Sequence, residues 1–221
     1  MNKSTKTNKD KRVITDLEDF ARDDSLSVIG IVGDKHQGKS GLMFALIDIY
    51  RRFASHTKIV GFRLQTCPEG VLPLQTLTEL SFVRDSVIFM DELKTIVDTD
   101  NRTDMRTFLG ILQTIRHSNN KIFLSGLAHN YNGKLSGELE SIIFKQTTLI
   151  SVVKRSNLDY ILRPLHSEGM ASKNEYSLVM PKNGALIYHP HMEKQWHYVT
   201  VPYLKQYDTK LNNAPIVKWE E

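Results

Sequence analysis

Gly33-Asp34-Lys35-His36-Gln37-Gly38-Lys39-Ser40 is the stretch on which the fold of this chain turns. It fits G-x-x-x-x-G-K-[ST] at every fixed position. By chance the pattern arises in under about 1% of chains this long, with glycine at roughly 7% of residues. Its glycines, with Gly41 just beyond, allow the backbone to turn its amides inward around phosphate oxygens. Lys39 can reach the β- and γ-phosphates as a compact charge, and the Ser40 hydroxyl can ligate Mg²⁺. The flanks agree with this reading. SLSVIGIV (25–32) is a β-branched run of buried-strand type, and KSGLMFALIDIYRRFAS (39–55) has the pattern of a helix with one broad apolar face. A strand, a glycine loop and a helix N-terminus together predict a site for a nucleoside triphosphate, ATP, with Mg²⁺.

About fifty residues further on, Val87-Ile88-Phe89-Met90-Asp91-Glu92 sets four apolar residues ahead of two acids, the usual companion of such a loop. An apolar run ending in Asp-Glu is common in isolation. Behind a phosphate loop it is the strand that carries the metal-associated aspartate. Asp91 therefore joins Ser40 as an expected metal ligand. Glu92 can polarise an attacking water, which favours hydrolysis over transfer to a small acceptor.

Outward from these two motifs, apolar periodicity places further elements. VITDLEDFARDD (13–24) reads as a short amphipathic helix through Val13, Ile14, Leu17, Phe20 and Ala21. KIVGFRL (58–64) reads as a strand, TCPEGVLP (66–73) as a loop and LQTLTELS (74–81) as a short helix. MRTFLGILQTIRHSN (105–119) reads as a helix and KIFLSGLA (121–128) as a strand. GELESII is a helical candidate, TTLISVVK (147–154) a strand, and NLDYILRPLH a helix stopped by Pro164. YSLVMPKNGALIYHP (176–190) has a hairpin pattern around Lys-Asn-Gly. Strands alternating with helices predict a three-layer α/β fold of the P-loop NTPase type (ASCE, RecA-like), its central sheet mainly parallel with an antiparallel C-terminal edge.

The segments after the acidic pair carry a resemblance. Asp91-Glu92-Leu93, then Asp98-Thr99-Asp100-Asn101-Arg102, then the helix into Gln113-Thr114-Ile115-Arg116-His117-Ser118-Asn119-Asn120 resemble the FtsK/HerA superfamily of DNA-pumping ATPases. In particular they are similar to the genome-packaging ATPases of double-stranded DNA viruses. Gly184-Ala185-Leu186-Ile187-Tyr188-His189-Pro190 resembles the family's late hairpin, so the resemblance spans residues 25–190. It implies a homo-oligomeric ring, usually a hexamer, around double-stranded DNA. It also implies a viral capsid or portal-vertex protein as a further partner, and a place in the host cytoplasm or on the virion. In such a ring each site is completed by a neighbour's arginine. Arg102, Arg106, Arg116, Arg155 and Arg163 are the candidates, with Arg116, Arg155 and Arg163 favoured. The family's sensor glutamine is missing from the end of KIFLSGLA. Ser125, His129 and Asn130 are the polar residues near it, and His129 or Asn130 is the expected sensor.

Composition bounds the alternatives. The 221 residues are 40% hydrophobic and 24% charged, as in an ordinary globular protein of one domain (13–221) behind a flexible basic tail (1–12). That tail, with Lys3, Lys6, Lys9, Lys11 and Arg12 against Asp10, holds an excess equal to the chain's net charge of +4, so the body is neutral. A solvated terminus explains it better than a DNA-binding arm. Cys67 is the single cysteine, which excludes a disulfide framework and a cysteine-rich zinc site and fits a reducing compartment. No apolar run approaches the roughly 20 residues of a membrane span, and the basic start is no secretory signal. His189, His191 and His197 read as packing or surface histidines. Trp196, Tyr198, Tyr203 and Tyr207 read as packing for the C-terminal segment, and Arg51 and Arg52 as a helix C-terminus. A Zot-like phage-assembly ATPase would ordinarily carry a membrane segment. A P-loop nucleoside or nucleotide kinase would need a lid with zinc-binding cysteines. A binding module without turnover is at odds with intact Lys39, Ser40, Asp91 and Glu92.

Overall fold

The structure, a computed structural model, describes residues 14–32, 38–53, 57–64, 67–91, 101–125, 148–150, 184–189, 192–193 and 196–202. Eight described strands form one sheet: β1 (Val28–Val32), β2 (Lys58–Phe62), β3 (Leu72–Leu74), β4 (Ser86–Met90), β5 (Lys121–Ser125), β6 (Thr148–Ile150), β7 (Gly184–Tyr188) and β8 (Trp196–Thr200). Their spatial order is β3-β2-β4-β5-β1-β6-β7-β8. The first six run parallel, and β7 and β8 close the sheet antiparallel, which is the α/β arrangement expected from the alternation of elements.

The helices are α1 (Leu17–Ala21), α2 (Lys39–Phe53), α3 (Leu77–Ser81) and α4 (Arg102–Thr114), the last prolonged by a 3-10 turn over Ile115–Ser118. The chain moves across the sheet in one direction from β1 through α2 to β2. It moves in the other from β4 through α4 to β5. Right-handed crossovers then put α2 and α4 on opposite faces. Strand alternation serves both faces. Ile29, Ile31, Ile59, Val87, Phe89 and Phe123 pack with α1 and α2. Their neighbours Val28, Val60, Ile88, Met90, Ile122 and Leu124 are equally buried and point to the other face. On the α2 face the register Phe89↔Phe123 stacks two rings at 5.0 Å and 7°. Tyr50 of α2 meets both edge-on, at 6.0 and 5.9 Å, in a geometry that aromatic pairs favour.

Three local expectations need correction. Leu72–Leu74 straddles the segments read as loop (66–73) and helix (74–81); it is an edge strand, where Pro73 is tolerated because one side of the strand has no ladder to feed, and the helix begins at Leu77. The second strand stops at Phe62 rather than 64, because Arg63 turns with φ 49°. The helix read from 105 begins at Arg102, with the Asn101 side chain accepting from the amides of Thr103 and Asp104. The visible C-terminal hairpin is β7–β8. Its expected first arm, 176–180, lies outside the described residues, as do GELESII and NLDYILRPLH.

The end of the sheet away from the phosphate loop is locked by buried polar groups. His189 Nε2 lies 3.0 Å from Asp23 Oδ2, both side chains 2% exposed. Lys121 Nζ donates to the carbonyls of Ala21 and Asp23 at 3.0 and 2.6 Å, and His197 Nδ1 accepts from the Ile14 amide at 3.1 Å. These bonds tie α1 to β5, β7 and β8, and they give His189 and His197 the packing role read from the sequence. Burial pushes the Asp23 carboxyl up, but hydrogen bonds from His189 and Ser25 outweigh it and hold the group well below its usual 3.8. Burial lowers Lys121 to about 8 against the opposing pull of Asp24 and Asp23. A carboxylate whose folded pKa is depressed adds stability above its unfolded value, and that stability fades as pH falls through the folded one. Asp23→Asn is accordingly expected to cost about 3 kcal/mol at pH 7, as for a broken buried pair. The difference from wild type should narrow below the unfolded value of 3.8, as followed by denaturant unfolding at several pH values.

Candidate nucleotide-binding site

In a parallel sheet, side chains gathered at the C-terminal ends of strands on one face converge on the helix N-termini there. Position parity carries this through from sequence to site. Val87, Phe89 and Asp91 share a face in β4 and its exit, and Lys121, Phe123 and Ser125 share it in β5. The register runs Phe89↔Phe123 and Met90↔Leu124, so its next step sets Asp91 beside Ser125. That face is the one covered by α2, whose first residues are Lys39 and Ser40.

The side chains meet accordingly. Ser40 Oγ donates to Asp91 Oδ2 at 2.7 Å, and Ser125 Oγ donates to Asp91 Oδ1. Ser125 is 0% exposed, while Asp91, Lys39 and Ser40 are half-buried, open enough to meet a ligand. Gly38 precedes the helix with φ 83°, a left-handed conformation that any side chain would strain, and its carbonyl accepts the Leu42 amide at 2.9 Å. One glycine thus lets the loop turn abruptly into α2 and aim the helix N-terminus at the site. The aromatic stack of Phe89 and Phe123 lies directly beneath, so Asp91 and Ser125 stand on packed rings rather than on a soft floor.

A hydroxyl and a carboxylate oxygen 2.7 Å apart are hard oxygen donors of the kind Mg²⁺ takes. Among the described residues no group of three or more His, Cys, Asp or Glu could hold a metal. That is compatible with Mg²⁺, which relies on one or two carboxylates plus substrate phosphates and waters.

The remaining candidates fall in two groups. Gly33, Asp34, Lys35, His36 and Gln37 of the loop, Glu92, His129, Asn130, Arg155 and Arg163 lie outside the described residues. Arg102, Arg106 and Arg116 are described and exposed. Arg102 and Arg106 lie in the first turns of α4, the next described element after β4. Arg116 sits in the turn before β5, with Ser118 accepting from the Asp85 amide, at the opposite end of the sheet. Roughly 13 Å of strand separates that end from Ser125, so Arg116 is no part of its own chain's site. The residue underrated from sequence is Ser125. The strand expected over 121–128 is described over Lys121–Ser125, and the expected sensor positions lie outside the described residues. The parity of Ser125 with Asp91 was the signal available.

Among solved structures the chain is similar to the genome packaging NTPase B204 from Sulfolobus turreted icosahedral virus 2. In complex with sulfate, the match has 14% identity over 80% of this chain and 98% of that one, at a TM-score of 0.53. In complex with AMPPCP it has 15% identity over 82% and 100%, again at 0.53. Thermomonospora curvata EccC (ATPases 2 and 3), in complex with a signal sequence peptide, matches at 12% identity and a TM-score of 0.50. It covers 93% of this chain and 42% of that one. No protein-family model matches the sequence, and no curated protein matches it. At these identities the likeness establishes the fold alone, an α/β fold of the P-loop NTPase type.

Proposed function

We propose that this protein hydrolyses ATP with Mg²⁺ and couples hydrolysis to movement of double-stranded DNA, most specifically packaging of a viral genome into a capsid. The observation that carries the reading is the pairing of Ser40 with Asp91 at the N-terminus of α2, beside Lys39. The similarity of fold to a viral genome packaging NTPase supports the finer part.

In this reading the loop from Gly33 to Gly41 wraps the phosphates, and Lys39 neutralises the β/γ charge. Ser40 and Asp91 would hold the cation, which when bound would supply positive charge against the phosphates. Glu92, next in the chain after Asp91, orients and polarises the attacking water. One domain of this size cannot encircle a duplex, so pumping takes several copies head to tail in a ring, with a hexamer the expected form. An arginine from the adjacent subunit completes each site. Arg116, Arg155 and Arg163 remain the proposed donors; the position of Arg116, remote from its own Asp91, is compatible with action on a neighbour. Among the described residues no helix is long and apolar enough to cross a membrane.

A triplex-displacement assay tests the coupling. The wild type is expected to strip a third strand from duplex DNA in an ATP-dependent manner. ATP hydrolysis with no displacement on any duplex would leave an ATPase and remove the translocase.

A further inference from the structure

Asp91 receives two hydroxyl donors from two directions. Ser40 comes from the start of α2, on the phosphate-binding segment, and donates to Oδ2 at 2.7 Å. Ser125 comes from the neighbouring strand and donates to Oδ1. The torsion that orients an aspartate's carboxylate is broad and roughly two-fold, so a donor on each oxygen narrows it. Ser125 can supply the second constraint because its own place is rigid. It lies on a strand paired with β4 and β1, is itself in register with Ile31 of β1, and is 0% exposed.

The geometry points to Ser125 as a positioning residue that pins Asp91 Oδ1 to β5 and so keeps Oδ2 turned toward Ser40 and the cation. The inference rests on the nucleotide-site reading above and assigns Ser125 no contact with substrate. Its consequence is directional. Oδ2 is the oxygen offered to Mg²⁺, and Ser40 can turn its hydroxyl to offer a lone pair in the same direction. The Ser125 bond to Oδ1 stays in place throughout. Partners that orient a metal's ligands typically affect metal affinity by about 10–100-fold when removed.

The test is an Mg²⁺ titration of full-length protein with a fluorescent, non-hydrolysable ATP analogue, read as the Mg²⁺ concentration at half-maximal binding. Ser125→Ala is expected to raise that concentration about 10–100-fold while leaving analogue binding without metal as in wild type. Ser125→Thr keeps the donor and is expected to retain the low Mg²⁺ requirement. A purely structural role would lower the melting temperature without a selective change in the metal requirement. An unchanged Mg²⁺ requirement in folded Ser125→Ala overturns the proposal. Should that variant fail to fold, Ser125→Cys, close in size with a weak donor, carries the test with the same two outcomes. A wild type that binds no analogue even with Mg²⁺ overturns the nucleotide-site reading itself, and this proposal with it.

Discussion

Lys39→Ala is expected to weaken binding of a triphosphate at least about 100-fold and to leave no measurable turnover. In the proposed site the ammonium at the start of α2 faces the β- and γ-phosphates. Hydrogen bonds to charged groups are worth about 1.5–3 kcal/mol each, so losing two of them is worth about 3–6 kcal/mol, or at least a hundredfold in Kd. Lys39 is half-buried at a helix whose apolar face is packed by Leu42, Met43, Leu46 and Ile47, so truncation should spare the fold. Equilibrium binding of a fluorescent ATP analogue, beside thermal unfolding of both proteins, checks this. Full affinity in the variant would remove the phosphate-loop assignment.

The second large effect belongs to Glu92. Glu92→Gln keeps the size of the side chain and loses the base, so binding of ATP and Mg²⁺ should persist while kcat falls. A positioned general base typically contributes about two to four orders of magnitude. Single-turnover hydrolysis separates this from slow product release. Unchanged turnover in Glu92→Gln, with activity lost in Asp91→Asn, would give the water-positioning role to another residue.

The parts of the fold legible in the sequence were those with strong local signals. SVIFM and KIFLS carry the apolar runs Val87–Met90 and Ile122–Leu124, and each is a fully buried parallel strand. The α2 helix follows from its apolar face, from Gly38 ahead of it and from Lys39-Ser40 at its start. LPL was not legible: three residues carry no period, and proline argues against a strand unless the edge position is known. The partners of His189 were likewise beyond local reading, because Asp23 lies 166 positions earlier and only the assembled sheet brings them together. In the site, Asp91 and Ser40 were legible from motif spacing. The Ser125 contact was not, because it depends on β5 lying between β4 and β1, an order that no single stretch of sequence encodes. Once that order is known, parity alone places Ser125 beside Asp91.

The central claim is that this chain hydrolyses ATP as a DNA-driven oligomer. Steady-state ATPase measured across protein concentration, with and without duplex DNA, tests it most directly. A neighbour's arginine can contribute about three to five orders of magnitude in hydrolases of this kind, so the isolated subunit should be a poor enzyme. The account predicts a rate per subunit that climbs with concentration and with duplex DNA, and a DNA stimulation that falls as salt rises, because phosphate contacts release counterions. A rate per subunit indifferent to concentration and to DNA, accompanied by phosphorylation of a nucleoside acceptor, would contradict it.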